Sequence, residues 1–432
     1  MLRYLNGNQN NFKKKLEIIL SQRKSNQINK SNIIKKIIND VKKNGDQALI
    51  KFEKKFSNIK TNKTSIKFSE KEIYKIAKNT NNELKKSIDI AYKRIKKFHD
   101  KQKLLSFKFK DKYKNELSYV YSPIDRVGVY VPGGTASYPS TVLMNCIPAV
   151  VAGVKNIFLT TPAFGKNVNP AILYAAKKCG VKEIYKVGGA HSIAAFAYST
   201  KTFKKVDKIV GPGNTFVVAA KKEVFGDVGI DMIAGPSEVC IIADKNANAD
   251  WVASDLIAQA EHDVYSQSIL VTNNLDLIKK VNISLKNQLK NLPKKKIAYK
   301  SLKNYGLAIY AKKIDKILEI VNEIAPEHLE LNIKNYKKML KGIKNAGSIF
   351  LGEYSPEAIG DYLAGPNHVL PTTGSAKFSS GLSVSDFLKR HSLIKITKTG
   401  IERLAPSVIN LARHENLEGH ANSVKIRLKK EL

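Results

Sequence analysis

The chain has 432 residues, of which 43% are hydrophobic, enough to form two or three packed domains. No run of about 18 apolar residues predicts a membrane span. The first residues also lack the apolar segment of a secretory signal, so we expect a cytoplasmic protein. The formal net charge of +37 comes from lysines spread along the chain. It therefore does not indicate a nucleic-acid-binding module, which concentrates basic and aromatic residues.

Three cysteines, Cys146, Cys179 and Cys240, are scattered along the chain. Their number and spacing fit neither a disulfide framework nor a thiolate zinc site. Each lies in an apolar run, where a free cysteine is usually a small buried hydrophobic residue. The cysteines are therefore consistent with a reducing compartment.

The elements predicted in chain order begin with lysine-rich helices. Residues 33–41 keep their apolar side chains on one helix face, with Ser31 as a candidate N-cap and Gly45 as a stop. From about residue 126 to 245, short apolar strands alternate with helices, and a second alternating block follows. This alternation predicts parallel sheets covered by helices in two related α/β domains. In the second block, "KILEIVNEIAPEHLEL" is predicted to be mainly helix, and the chain from about residue 383 forms a small terminal unit.

Glycine-rich loops follow several predicted strands, at residues 132–135, 187–191, 211–214 and 234–238. Ligands of open α/β sheets bind beyond the carboxyl ends of the strands, and helix N-termini there favour anions. No loop completes the GxGxxG pattern, since Phe216 stands where the third glycine would follow Gly211 and Gly213. The four loops together favour a cofactor or phosphate crevice over sharp turns without a ligand.

Candidate polar residues are concentrated near four histidines. Gln259 and His262 lie three apart in a predicted helix, so they share a face as two ligands, or they belong to an ordinary polar helix end. Glu327 and His328 suit proton transfer if both reach one site from a helix end or a loop, which Pro326 favours. Nitrogen and oxygen ligands without thiolate suit a catalytic Zn²⁺ or Mn²⁺. The sequence alone does not show whether these separate segments lie together in the fold.

Seven motifs in fixed order resemble those of the histidinol dehydrogenase family. They are "RVGVYVPGGTASYPSTVLMNCIPAVVAGV", "KIVGPGNTFV", "IDMIAGPSEV", "LIAQAEHD", "APEHLEL", "GDYLAGPNHVLPT" and "ENLEGHANSV". The resemblance covers the chain from about residue 30 onward. It implies oxidation of L-histidinol to L-histidine through L-histidinaldehyde, with two NAD⁺ used in succession, as the last two steps of histidine biosynthesis.

The resemblance also implies an architecture. We expect an α/β fold with two incomplete Rossmann-like parallel-sheet domains, a helical N-terminal arm, a small C-terminal domain and an intertwined homodimer. The expected boundaries are an arm at 1–25, a first α/β domain at 26–129 and 238–382, and a second, NAD-binding domain at 130–237. The C-terminal domain, at 383–432, would reach the active site of the partner subunit.

The resemblance assigns roles to individual residues. One zinc ion per subunit would be held by four ligands: Gln259, His262, Asp361 and His420, the last supplied by the other subunit. Seven residues would bind the substrate: Ser237, Gln259, His262, His328, Asp361, Glu415 and His420. His328 would be the general base for alcohol oxidation, and Glu327 would activate water for the aldehyde step. Tyr130, His191 and Asn214 would contact NAD⁺.

This chain departs from the family at His191, where the family usually has glutamine. A neutral imidazole offers one hydrogen-bond donor and one acceptor, so a cofactor contact there remains feasible. His368 is interpreted as structural and His414 as a local variation. The alternative to a dehydrogenase is a zinc-containing binding protein of the same fold that has lost the activity. The presence of all six key polar residues argues against that loss: Gln259, Glu327, His328, Asp361, Glu415 and His420.

Overall fold

A computed structural model describes residues 1–25, 31–56, 66–133, 138–163 and 168–428. The chain forms two compact units. The first comprises Met1–Gln102 and Asp125–Asp386, and the second comprises Lys103–Ile124 and Phe387–Leu432. None of the helices within the described ranges is long and apolar enough to cross a membrane.

The helices in chain order are α1 (Phe12–Ser25), α2 (Ser31–Asn44), α3 (Asp46–Phe56), α4 (Glu70–Lys78), α5 (Asn82–His99), α6 (Pro139–Ala152), α7 (Pro170–Lys178), α8 (Gly189–Tyr198), α9 (Thr215–Val224), α10 (Ala249–Ala260), α11 (Leu275–Leu289), α12 (Lys295–Tyr305), α13 (Ile314–Ile324), α14 (Tyr336–Leu340), α15 (Glu357–Tyr362), α16 (Lys398–His414) and α17 (Glu418–Lys425). Short 3-10 helices lie at Asp100–Gln102, Ser375–Lys377, Val384–Phe387 and Ile426–Leu428.

The strands are β1 (Arg3–Asn6), β2 (Phe107–Lys110), β3 (Glu116–Pro123), β4 (Arg126–Tyr130), β5 (Asn156–Thr160), β6 (Glu183–Tyr185), β7 (Lys208–Val210), β8 (Gly229–Ile230), β9 (Glu238–Ala243), β10 (Gln267–Thr272), β11 (Leu307–Tyr310), β12 (His328–Asn332), β13 (Ser348–Leu351) and β14 (Leu388–Lys395). They form three sheets, two in the first unit and one in the second.

The larger sheet of the first unit has six strands in the order β1-β11-β10-β9-β12-β13. All neighbouring pairs are parallel, and His328 of β12 lies opposite Val239 of β9. Every residue of β9 and β10 is buried, as expected for central strands covered by helices on both faces. Separate apolar clusters on the two faces include Ile241 on one side and Ile242 on the other. The sheet is thus the rigid frame from which the polar residues at its strand ends project.

The second sheet of this unit has five parallel strands in the order β6-β5-β4-β7-β8. From central β4 the chain adds β5 and β6 on one side and then β7 and β8 on the other. Such a reversal creates a crevice at the carboxyl end of the central strand. Helices α2, α3, α8 and α9 pack on one face of this sheet around buried residues such as Phe196 and Ile209. Tyr130, the last residue of β4, lies at the reversal.

The second unit contains a small antiparallel sheet in the order β14-β3-β2, followed by α16 and α17. Buried Asn115 accepts hydrogen bonds from the backbone N–H of Thr397, at 2.9 Å, and joins the start of α16 to the turn before β3. Residues 103–124 therefore lie in this unit, which corrects their predicted place in the first α/β domain. Pairing with β14, more than 260 residues later in the chain, leaves no local signal in the sequence.

The N-terminal residues also differ from the prediction of a helical arm at 1–25. Residues Arg3–Asn6 form the edge strand β1, which pairs in parallel with β11. A strand of four residues is too short for its periodicity to be recognised from sequence. The remaining domain boundaries stay predictions.

Candidate active site

The Glu327–His328 pair lies at a helix-to-strand junction. Helix α13 ends at Ile324 because Ala325 adopts a left-handed φ of +47° and Pro326 follows it. Glu327 therefore lies in a loop after a helix end, one of the two predicted settings, and no helical turn begins there, since β12 starts at His328. Both side chains are buried between neighbouring strands, with exposed fractions of 6% for Glu327 and 4% for His328. A rigid strand end thus replaces the predicted helix as the support of this pair.

Hydrogen bonds to Glu238 orient both members of this pair. The backbone N–H of Glu238 donates to Oε2 of Glu327 at 2.9 Å. The backbone carbonyl of Glu238 lies 3.0 Å from Nδ1 of His328. A carbonyl only accepts hydrogen bonds, so Nδ1 carries the hydrogen and Nε2 carries the lone pair of the neutral ring. Among the described residues, buried Nε2 has no hydrogen-bond partner.

Burial lowers the pKa of His328 to about 4. The carboxylate of Asp361 opposes this shift and the neighbouring His262 and His368 add to it, so that about 4 is the net pKa. The imidazole is therefore neutral at pH 7, with an unprotonated Nε2 that lies 3.9 Å from Oδ1 of Asp361. A neutral, oriented imidazole with a free lone pair is what a general base requires.

The Gln259–His262 pair lies where α10 ends. Gln259 occupies the last turn of α10, and His262 lies in the turn that follows, with its N–H donating to the Gln259 carbonyl at 3.3 Å. The pair therefore lies at a helix end rather than within a continuous helix, and its role as two metal ligands stays a prediction. Gln259 is fully buried, and neither polar atom of its side-chain amide has a hydrogen-bond partner within the described ranges. An unpaired buried amide is costly, so these atoms need a ligand or solvent.

Helix α15 packs against α10 and adds two carboxylates. Glu357 and Asp361, one helical turn apart, meet His262 so that one potential ligand atom from each lies within 4.8 Å of the others. Oε1 of Glu357 also lies 3.7 Å from Nδ1 of His328. The sequence analysis missed Glu357, although the four-residue spacing to Asp361 after Pro356 was a readable signal.

The pKa of Glu357 is raised well above its ordinary value, first by burial and then by the negative charges of Asp361, Glu327, Glu330 and Asp255. So many carboxylates in one buried place repel one another, and a bound cation would relieve this repulsion. The unpaired Gln259 amide and the cluster of His262, Glu357 and Asp361 therefore fit a divalent metal ion with nitrogen and oxygen ligands.

Asp255 and Glu330 form a second pair of carboxylates close to Glu357. Burial raises the pKa of Asp255 on α10 to about 6. Burial, and then the negative charge of Asp255, raise the pKa of Glu330 on β12. Oε1 of Glu330 accepts a hydrogen bond from the backbone N–H of Glu357 at 2.7 Å, which fixes the start of α15. His368 holds the other end of this short helix, since its Nδ1 lies 3.0 Å from the Asp361 carbonyl.

Three other predicted substrate residues lie elsewhere in the chain. Ser237 is half-buried and immediately precedes β9, where its carbonyl accepts from the N–H of Gln267 at 3.0 Å. Glu415, which follows α16, and His420, on α17, belong to the second unit and have exposed side chains. The assignment of these three residues stays a prediction.

The predicted cofactor residues lie at the carboxyl ends of the five-stranded sheet. The hydroxyl of Tyr130 accepts a hydrogen bond from the N–H of Gly189 at 3.2 Å, and burial raises the pKa of Tyr130 to about 12. Asn214 caps α9 by accepting from the backbone N–H of Phe216 at 3.0 Å. Gly211 has a φ of +113°, and an added Cβ would lie 2.1 Å from the Tyr130 carbonyl oxygen. The loop 211–214 therefore approaches β4 more closely than a residue with a side chain would permit. The predicted loop at 132–135 lies partly outside the described residues.

Comparisons with known proteins agree on one family. The family model for histidinol dehydrogenase matches residues 20–428. The chain is 55% identical to histidinol dehydrogenase of Pelagibacter ubique over 100% of both chains. It is 46% identical to that of Agrobacterium fabrum over 97% of each. The crystal structure of histidinol dehydrogenase from Elizabethkingia anophelis matches with a TM-score of 0.91 and 39% identity, covering 99% of this chain and 98% of that one.

These matches confirm the resemblance inferred from the seven motifs and the predicted α/β fold with parallel sheets. The chain belongs to the histidinol dehydrogenase family, the oxidoreductases that catalyse the final two oxidation steps of histidine biosynthesis.

Proposed function

We propose that the protein oxidises L-histidinol to L-histidine through L-histidinaldehyde, with two NAD⁺ used in succession and one Zn²⁺ per subunit. The observation that carries the proposal is the neutral His328, whose unpaired Nε2 faces Asp361 while its Nδ1 edge faces Glu327 and Glu357. A buried proton acceptor thus lies next to a candidate metal site that is made of exposed His262, buried Glu357 and half-buried Asp361.

In the first oxidation, Nε2 of His328 removes the hydroxyl proton of the alcohol as hydride leaves the adjacent carbon. The hydrogen bond from Nδ1 to the Glu238 carbonyl holds the ring in the required tautomer throughout. Burial favours the neutral ring before the reaction and the loss of the proton afterwards.

In the second oxidation, the carboxylate of Glu327 takes a proton from the water that adds to the aldehyde. The hydrated aldehyde then gives up its second hydride, and the carboxylic acid results. The N–H of Glu238 fixes Oε2 of Glu327, so the carboxylate is oriented before the water arrives. A positioned base of this kind typically contributes about 10²–10⁴-fold to the rate.

Gln259, His262 and Asp361 would hold the zinc ion together with His420 of the partner subunit, and Glu357 is a further candidate. When bound there, the ion would supply a fixed positive charge that helps to position the substrate. Ser237 and Glu415 would complete the substrate contacts. We further propose that the protein is a cytoplasmic homodimer in which each C-terminal unit completes the partner's site.

NAD⁺ would bind where the strand order of the five-stranded sheet reverses. Tyr130, His191 and Asn214 all lie at the carboxyl ends of its strands or at the helix starts that follow. The cofactor supplies the hydride acceptor for both steps. The crevice and the close approach of Gly211 to β4 support this placement.

The roles of the two bases are separated by giving each variant the alcohol or the aldehyde. His328→Asn should lower kcat for histidinol by about 10²-fold or more, because the alcohol has no other base. Glu327→Gln should slow histidinaldehyde oxidation more than the alcohol step. The exposed His391→Asn and Glu353→Gln are matched controls that should leave both rates unchanged. Equal, small effects of His328→Asn and Glu327→Gln on both substrates would refute the assignment.

The alternative is a zinc-binding protein of the same fold without turnover. If this alternative holds, wild-type protein fully loaded with zinc produces no NADH from histidinol. His262→Asn would still remove the metal.

A further inference from the structure

A buried glutamate–histidine pair lies beside the proposed cofactor crevice. Oε1 of Glu53, on α3, lies 2.9 Å from Nε2 of His191, on α8. The exposed fractions are 0% for Glu53 and 2% for His191. Neither the two proposed oxidation steps nor the metal cluster uses Glu53. A buried carboxylate is costly unless its partners compensate for the lost water, so the pair calls for a role.

The same carboxylate oxygen also binds the loop before α8. Oε1 of Glu53 accepts a hydrogen bond from the backbone N–H of Gly188 at 2.9 Å. The next N–H, that of Gly189, donates to the hydroxyl of Tyr130 at 3.2 Å. These two donors at the start of α8 are therefore already used within the protein. A cofactor pyrophosphate cannot take them without displacing Glu53 or Tyr130, and the negative charge of Glu53 disfavours a phosphate there.

The contact with Glu53 fixes which nitrogen of His191 carries hydrogen. An ionised carboxylate only accepts hydrogen bonds, so Nε2 of His191 must be the donor. In the neutral ring, Nδ1 is then an acceptor. Among the described residues Nδ1 of His191 has no hydrogen-bond partner, although it is buried. The rings of Phe52 and Phe56 lie near the imidazole, with centroids 5.6 Å and 6.3 Å from it, and restrict its rotation.

Gly189 borders the same edge of the ring. A Cβ added to Gly189 would lie 3.3 Å from Cε1 and 3.4 Å from Nδ1 of His191. Gly189 also has a left-handed φ of +63°, so a side chain is disfavoured there on two counts. Gly189 therefore places no side chain of its own against the Nδ1 edge of the buried ring, beside Tyr130 at the sheet reversal.

We propose that Glu53 is a positioning residue for the cofactor: it locks His191 in the Nε2–H tautomer, so that Nδ1 accepts a hydrogen bond from a neutral donor of NAD⁺, such as a ribose hydroxyl or the carboxamide N–H. This inference rests on the proposed use of NAD⁺. It assigns the start of α8 to a neutral part of the cofactor rather than to its pyrophosphate.

The first test uses the wild-type holoenzyme, its histidines labelled with ¹⁵N. The His191 signals are identified by their loss in His191→Gln. We expect a protonated Nε2 and an unprotonated Nδ1, and a shift of the Nδ1 resonance when NAD⁺ is added without histidinol. A neutral ring protonated on Nδ1, or an Nδ1 resonance that NAD⁺ leaves unchanged, overturns the proposal.

The second test measures NAD⁺ binding by calorimetry. Glu53→Met removes the acceptor and should weaken NAD⁺ binding roughly tenfold, the cost of about one hydrogen bond. Glu53→Gln keeps a carbonyl acceptor and should restore wild-type affinity and the Nε2–H tautomer. In the His191→Gln background, Glu53→Met should have much less effect on NAD⁺ affinity, because Glu53 acts through His191.

A purely structural role for Glu53 would give a different pattern. Glu53→Met would then lower the melting temperature and the turnover number for histidinol together, equally in both backgrounds, with NAD⁺ affinity unchanged. Wild-type protein that binds no NAD⁺ would refute both this inference and the proposed cofactor. Normal NAD⁺ binding without histidinol oxidation would refute the proposed function alone.

Discussion

The low pKa of His328 predicts that alcohol oxidation tolerates acid better than an ordinary histidine base would allow. Burial lowers this pKa from 6.5 to about 4. The shift corresponds to about 3 kcal/mol in favour of the neutral ring, at 1.36 kcal/mol per pH unit. At about pH 5.5, roughly 3% of such a ring is protonated, compared with about 90% of a ring with the ordinary pKa.

The assay is kcat at saturating histidinol between about pH 4 and 8, since kcat/KM would also report free histidinol, whose own imidazole titrates near pH 6.5. Because the neutral ring is the active form, activity should be nearly constant as the pH falls to about 5.5 and decline only as it approaches 4. Metal content is measured at each pH, so that loss of the ion is distinguished from protonation of His328. An acid limb centred near pH 6.5 with the metal fully retained would refute the reasoning.

The same pKa predicts a contribution to stability. The unfolded chain takes up the His328 proton near pH 6.5, while the folded chain resists it until about pH 4. The favourable contribution is therefore fully present above pH 6.5 and is lost as the pH falls towards 4. His328→Asn should remove this component from the pH dependence of the unfolding free energy. If the unfolding free energy changed between pH 6.5 and 4 by the same amount in His328→Asn as in the wild type, the assigned pKa shift would be contradicted.

Two further predictions concern the metal cluster and the cofactor loop. Glu357→Gln should weaken Zn²⁺ binding at least about tenfold by calorimetry, because a charged ligand is lost, whereas the exposed Glu353→Gln should not; equal affinities would exclude Glu357 as a ligand. Gly211→Ala should destabilise the protein more than Gly180→Ala in urea unfolding. Both glycines have positive φ, but only the Cβ at 211 meets a backbone oxygen, that of Tyr130, at 2.1 Å, while nothing lies within 4 Å at 180. Equal losses of unfolding free energy in the two variants would mean that the loop at 211–214 relaxes freely.

Local sequence patterns predicted the α/β alternation well, because each strand and helix carries its own periodicity. The helix ends were harder to place. The spacing of Gln259 and His262 predicted a shared helix face, yet α10 ends at Ala260 and the turn after it carries His262. A polar run without glycine or proline gives no clear stop signal.

Contacts between distant segments were beyond the sequence patterns. The four-residue spacing of Glu357 and Asp361 was readable, but the approach of His262, from the turn after α10, was not. The role of Glu53 was equally hidden, since 138 residues separate it from His191 along the chain. By contrast, the resemblance to a family predicted roles for Asp361 and His328 directly, because their motifs are specific.

The most direct test of the account counts products in a single preparation. Purified protein is supplied with histidinol and excess NAD⁺, and NADH and histidine are both quantified before zinc removal, after removal by a chelator, and after zinc is restored. We predict two NADH and one histidine per histidinol, lost with the metal and recovered with it. Turnover that persists in verified metal-free protein, or one NADH per histidinol with free aldehyde as the product, would contradict the account.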